Sequence, residues 1–124
     1  MHERLETRLQ HVGITVAQEE IEAARAFYGD VLGLPQLYAT ERALVWGLGR
    51  AGDLELHVIA GPRADARALH HFALEVDALD DARGRLADAG YEIEDARPVG
   101  GRERFFVRDP FGNLIEFVTP RAEA

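Results

Sequence analysis

The chain has 124 residues, enough for one ordinary domain, and 47% of them are hydrophobic, which supplies a core and excludes disorder. Fourteen basic against 22 acidic residues leave a net charge of −8, which argues against an extended nucleic-acid surface or an anionic membrane surface; every basic residue is arginine. Cysteine is absent, which removes disulfides, thiol nucleophiles and thiolate metal sites, and no run approaches the roughly 18 apolar residues of a membrane span.

Taken in chain order, the charged opening "MHERLETRLQHVGITV" has no apolar signal-peptide core, so a cytoplasmic location is expected. Residues 9–16 alternate as a half-buried strand, Val12, Ile14 and Val16 on one face, His11, Gly13 and Thr15 on the other. Residues 19–33 read as a helix, with Ile21, Ala24, Phe27, Tyr28, Val31 and Leu32 at helical spacing and Gly33 as its cap. "QLYAT" and "ALVWGLG" are short strands turning near Glu41–Arg42, and "GLGRAG", without a P-loop lysine, is a turn. Residues 53–60 alternate, Leu54, Leu56 and Val58 opposite Glu55, His57 and Ile59; a polar connection follows over 60–68. The pattern then restarts. "HHFALEV" places Phe72, Leu74 and Val76 opposite His71, Ala73 and Glu75. Residues 79–90 form a second helix with Leu79, Ala82, Leu86 and Ala89 inward, and "YEIED", "RERFFVR" and "NLIEFV" are strands, the last two joined by the turn "DPFGN".

Strand, helix, strand, strand, strand is thus stated twice, offset by roughly 60 residues. His11 aligns with His71 and Glu55 with Glu116; the His-to-Glu separations are 44 and 45 residues. The class is α+β, a single domain of two tandem βαβββ modules spanning about 9–60 and 70–118. Val12, Ile14 and Val16 are expected under the first helix, and Phe72, Leu74 and Val76 under the second. Each helix–sheet layer is stabilised by apolar burial at about 25 cal/mol per Å². The opposite faces carry His11, Gly13, Thr15, Glu55, His57, His71, Ala73, Glu75 and Glu116. Groups this small and polar make a lining, so two imidazoles and two carboxylates are expected to converge in a cleft. Glu116 sharpens the point. Its neighbours Leu114, Ile115, Phe117 and Val118 predict a buried strand, and a carboxylate there needs a cation, strong hydrogen bonds or a proton.

"QHVGITV", "AFYGDVLGL", "LELHV", "HHFALEV" and "FFVRDPFGNLIEFV" together resemble the vicinal oxygen chelate superfamily, which includes glyoxalase I, extradiol dioxygenases, epimerases, fosfomycin resistance and bleomycin resistance proteins. The resemblance covers nearly the whole chain. It implies an open, U-shaped eight-stranded barrel with helices outside, built around one divalent metal ion: Ni, Co, Mn, Fe or Zn. It places the ligands at His11, Glu55, His71 and Glu116, with His57 the alternative to Glu55, a set closest to that of glyoxalase I. It implies metal-dependent glyoxalase-type isomerase or lyase chemistry on a small substrate held through vicinal oxygens, with Glu116 as the catalytic base and Glu55 the second candidate, in a homodimer. Ring cleavage or epimerisation on the same fold, and metal-free binding of a drug or metabolite, are the alternatives. His70 is read as a surface residue and Glu75 as a pocket wall. Trp46 and Phe111 are read as packing rather than substrate contacts, and the arginines of "RPVGGRER" as solvated rather than gripping an anion.

Overall fold

The computed structural model describes residues 5, 6, 8–49 and 53–120. Parts of the opening segment and of "GLGRAG" lie outside the described residues. β1 (His11–Val16), β2 (Gln36–Ala39), β3 (Ala43–Leu48) and β4 (Leu54–Ala60) form one sheet in the order β1-β4-β3-β2. β5 (His71–Glu75), β6 (Glu94–Val99), β7 (Arg102–Arg108) and β8 (Leu114–Val118) form a second in the order β5-β8-β7-β6. In each sheet the first strand runs parallel to the last, which sits internally and pairs antiparallel with the third. The repeat read from the chain is therefore a repeat of topology. The two sheets share no ladder and do not close into a barrel, so β1 and β5 each keep one free edge.

The inward faces meet in a single core. Ile14, Val16, Leu56, Val58 and Trp46 from the first sheet and Phe105, Val107, Ile115 and Phe117 from the second belong to one buried cluster with Phe27, Tyr28, Leu79 and Leu86 of the helices. Alternation predicts which face of β1, β4 and β7 is buried, while β3 and β8 are buried on both faces, and the first helix is not simply an outer layer over its own sheet. Phe27 meets Tyr91 of the second module edge to face, ring centres 5.0 Å apart, and Tyr28 donates to Asp109 at 2.6 Å. Asp109, 4% exposed, also accepts from the main-chain N–H of Phe111 and Asn113 and from the Asn113 amide. That amide reaches the Thr15 carbonyl of β1 as well, at 3.2 Å. Gly112 turns with φ at 94°, and a β-carbon there would stand 3.2 Å from the Ala64 carbonyl oxygen. The DPFGN turn thus ties the second sheet to the first helix, to β1 and to the connector between modules. Phe111 and Trp46 are core residues, 1% and 2% exposed.

Three elements differ from the sequence expectation. The first helix is not uniform: a 3-10 turn (Gln18–Glu20) leads into an α-turn (Ile21–Ala24) and then π-helical turns (Arg25–Val31). The wider turns, with Leu32 N–H on the Phe27 carbonyl at 3.0 Å, accommodate two adjacent bulky side chains, Phe27 and Tyr28, in the core. The second helix ends at Asp88, and Ala89 is exposed. Gly90, with φ at 91°, reverses the chain so that Tyr91 N–H bonds the Leu86 carbonyl and the Tyr91 ring, not Ala89, packs inward. The strand expected at "YEIED" begins only at Glu94 and runs to Val99. It is an edge strand whose register slips between Ala96 and Val99, where Pro98 has no N–H to give.

Candidate metal centre

β8 lies between β5 and β7, so Glu116 is on an internal strand. Ile115 and Phe117 point into the core; Glu116 points the other way, beside Ala73 of β5 and Phe106 of β7. Its side chain is 14% exposed, and His71 Nε2 stands 3.0 Å from its Oε1. The other ring nitrogen, Nδ1–H, donates to the Leu69 carbonyl at 2.9 Å. A carbonyl only accepts, so Nδ1 must carry the hydrogen. In the neutral ring Nε2 is then a lone pair aimed at a carboxylate oxygen. Two acceptors face each other, and only a proton or a cation between them makes the contact favourable. Their separation is also about that of two adjacent donors each ~2.1 Å from one ion.

The first sheet holds the matching group. His11 and Glu55 are direct partners across β1 and β4. His57, two residues along the same face, approaches Glu55 Oε1 with Nε2 at 2.8 Å. Its ring stacks on that of His11, centres 4.1 Å apart and planes 13° from parallel. His11 Nδ1–H donates to the Gln10 side-chain oxygen. The hydrogen bond from His57 holds the Glu55 pKa below its ordinary 4.5, against partial burial that raises it, and the Gln10 hydrogen bond and the charges of His57 and His11 add to the lowering. A lowered carboxylate pKa stabilises the fold above the ordinary value, and that contribution is lost as pH falls through the lowered one. An NMR titration of the Glu55 carboxyl is expected to give a midpoint below 4.5 that rises in His57→Ala. An unmoved midpoint would assign the shift to another neighbour.

The predicted residues therefore come together as two groups, His11–Glu55–His57 on one sheet and His71–Glu116 on the other. Among the described residues no set of three or more His, Asp or Glu side chains is arranged to hold an ion. His11, Glu55 and His71 do border one cavity of about 880 Å³, together with Glu75. His70 is exposed and lines an adjoining cavity of about 380 Å³ between β1 and β5, which His71 borders as well. Two contributors were not foreseen. Gln10 links His11 to Glu55, and its only signal is its place before the histidine in "QHVGITV". Arg104 lies 3.7 Å from Glu116 Oε2, at the diagonal position one strand over. The arginines of "RPVGGRER" are not uniformly solvated: Arg102 and Arg104 are only 31% and 22% exposed, because β7 is an internal strand.

Comparison with known proteins then bears on what this arrangement is. The model of the glyoxalase/bleomycin resistance protein/dioxygenase superfamily matches residues 8–117. The chain belongs to this superfamily. Another relative is YqjC of Bacillus subtilis, an uncharacterised protein, 29% identical with 94% of each chain covered. A glyoxalase-family protein of Bacillus anthracis superposes with a TM-score of 0.82, at 27% identity over 98% of this chain and all of the other. The same fold is shared with the fosfomycin resistance protein FosX of Listeria monocytogenes, crystallised with Mn(II) and sulfate, at a TM-score of 0.79, 19% identity and coverage of 96% and 94%. It is shared too with a lactoylglutathione lyase of Agrobacterium tumefaciens, at a TM-score of 0.73, 24% identity and coverage of 93% and 95%. In this glyoxalase-superfamily chain the motifs "AFYGDVLGL" and "DPFGN" meet in the Tyr28–Asp109 bond, which explains them by architecture rather than by chemistry. Among the described residues no helix is long and apolar enough to cross a membrane.

Proposed function

We propose that the protein is a divalent-metal-dependent enzyme of glyoxalase type, acting on a small substrate held through two adjacent oxygens. The observation that carries this reading is the His71–Glu116 contact, where hydrogen bonding on the far side of the ring leaves a nitrogen lone pair facing a carboxylate. His11, Glu55, His71 and Glu116 are the residues that would hold the ion. Two imidazoles and two carboxylates suit Ni, Co, Mn, Fe or Zn. His57 is better placed to orient Glu55: among the described residues no hydrogen bond fixes its Nδ1, as Leu69 fixes that of His71, so its Nε2 can carry the hydrogen and donate it to that carboxylate. When bound, the ion would supply Lewis-acid polarisation of the substrate's adjacent oxygens.

The chain's own groups then do the proton work. Glu116, flanked by His71 and Arg104, is the base. With a thiol–aldehyde adduct it takes the proton from the carbon bearing sulfur and hydroxyl and returns it to the neighbouring carbonyl carbon, while the hydroxyl proton passes to the neighbouring oxygen, leaving a hydroxy thioester. Glu55 is the second candidate for that role. A second copy of the chain is proposed to bring the two groups together. In support, β1 and β5 each have an unpaired edge. Leu9 and Leu69, each two residues before a site histidine, are 64% and 78% exposed.

Protein purified without added metal is expected to carry about one divalent ion per His11–Glu55/His71–Glu116 site. Elemental analysis of His71→Ala and Glu116→Ala should show that ion lost. Retention in both variants would remove the site. Turnover of methylglyoxal with low-molecular-weight thiols, and not of catechols with oxygen, would then select isomerisation over ring cleavage.

A further inference from the structure

The two site histidines have their Nδ1 atoms satisfied by different means. In the second module the acceptor is main chain, the Leu69 carbonyl. In the first it is a side chain, the Oε1 of Gln10, the residue immediately before β1. An amide can turn either end to a neighbour, so that contact alone does not say which atom holds the hydrogen. Glu55 decides it. The other end of the Gln10 amide meets the Glu55 carboxylate, in a hydrogen bond that helps to hold that carboxylate's pKa below 4.5. An ionised carboxylate only accepts, so the amide NH2 must face it, and Oε1 is thereby turned to His11. That oxygen accepts too. His11 Nδ1 must then carry the hydrogen, and Nε2 of the neutral ring is left as a lone pair.

We propose that Gln10 is a positioning residue of the site: its side-chain amide, bridging Glu55 and His11, locks the His11 ring in the Nδ1–H tautomer and so makes Nε2 the atom offered to a cation. Two features turn an exposed bond into a lock. The backbone of Gln10 is pinned to β4, its carbonyl accepting from the Glu55 N–H at 3.1 Å, which holds the amide beside both of its partners. The His57 ring, stacked on that of His11 with centres 4.1 Å apart, limits rotation of the imidazole. The chain of bonds also has a direction. The charge of Glu55 polarises the amide, the amide oxygen draws on Nδ1–H, and Nε2 becomes a better electron-pair donor. His11 thus reaches the same state as His71, although the residues before them, Gln10 and His70, share no such role. The inference rests on reading His11 as a metal ligand, and it names what prepares that ligand before an ion arrives.

The tautomer is read from ring-nitrogen NMR shifts of metal-free protein at about pH 9, where an ordinary imidazole is neutral. The unaltered protein should show His11 with its hydrogen on Nδ1. Gln10→Leu should move the ring toward hydrogen on Nε2, and Gln10→Glu, which restores an acceptor beside Nδ1, should move it back. Ni(II) titrated calorimetrically should bind Gln10→Leu about 10–100-fold more weakly than the unaltered protein. His70→Ala, at the matched place of the second module, should change neither the His71 tautomer nor the Ni(II) affinity, because Leu69 supplies the acceptor there. Gln10 is exposed, and melting curves confirm that its variants are folded. A His11 tautomer unmoved in Gln10→Leu, or Ni(II) bound as tightly after that change as before it, would overturn the proposal. Failure of the unaltered protein to bind Ni(II) would instead remove the metal reading, with the tautomer still deciding what Gln10 does.

Discussion

Asp109→Ala is expected to destabilise the protein by about 3–5 kcal/mol, a fall of roughly 10–20 °C in Tm. The carboxylate is 4% exposed and accepts hydrogen bonds from the Tyr28 hydroxyl, two main-chain N–H groups and the Asn113 amide. Alanine would leave those donors buried without an acceptor and release the turn that joins the modules. Tyr28→Phe should cost less, about 1–2 kcal/mol, because Asp109 keeps its other donors. A double-mutant cycle by urea denaturation would give a coupling between the two, and a cost under about 1 kcal/mol for Asp109→Ala would mean that this carboxylate is not what holds the modules together. The same bond has an alkaline signature. Burial first, then the charge and hydrogen bond of Asp109 and the nearby Tyr91, push the Tyr28 pKa well above its ordinary 10.0. A raised pKa means that the folded state keeps the proton, so this contribution is fully present below pH 10.0 and is lost as pH rises from there toward the folded value. Tyr28→Phe should lack that loss.

The second large effect concerns how the two histidine–glutamate groups are joined. If each site takes His11 and Glu55 from one chain and His71 and Glu116 from its partner, a dimer of His11→Ala with His71→Ala has one site with both histidines missing and one intact. Each variant alone should bind almost no metal. The heterodimer, isolated through two different affinity tags, should bind about half the wild-type amount. Histidines acting within a single chain would leave the heterodimer as empty as its parents, and that result would retire the shared site. The measurement reads metal content, so it needs no knowledge of the substrate.

Much of this molecule is legible before any coordinates. Side chains of a strand alternate by a fixed geometry, so the faces of β1, β4 and β5 follow from their order of apolar and polar residues, and with them the common orientation of His11 and Glu55, whereas in β8, apolar on both faces, only the ladder to β5 puts Glu116 on the side of His71. Duplication repeats the topology but not the register: His11 lies directly opposite Glu55, whereas His71 lies opposite Leu114 and Glu116 opposite Ala73, the place that His57 holds in the first sheet. Helix interiors were harder to read. The π turns after Ala24 and the early stop at Asp88 depend on which rings the core admits, Phe27 with Tyr28 in one case and Tyr91 in the other.

Contacts between the modules were hidden for a different reason. Tyr28 and Asp109 are 81 residues apart, and nothing in local propensity or periodicity relates them. The "DPFGN" segment announces a turn; only packing shows that its aspartate is the acceptor on which the first helix closes. Arg104 is a similar case. By composition it is one more arginine of an acidic protein's surface, and it becomes distinct because β7 is internal, which sets Phe106 under its guanidinium and Glu116 at its side. Local sequence dictates which way a side chain points, since that depends on neighbours along the backbone. Tertiary structure decides what it meets there, since that depends on chain brought in from elsewhere, and charge and hydrogen-bond chemistry depend on the meeting.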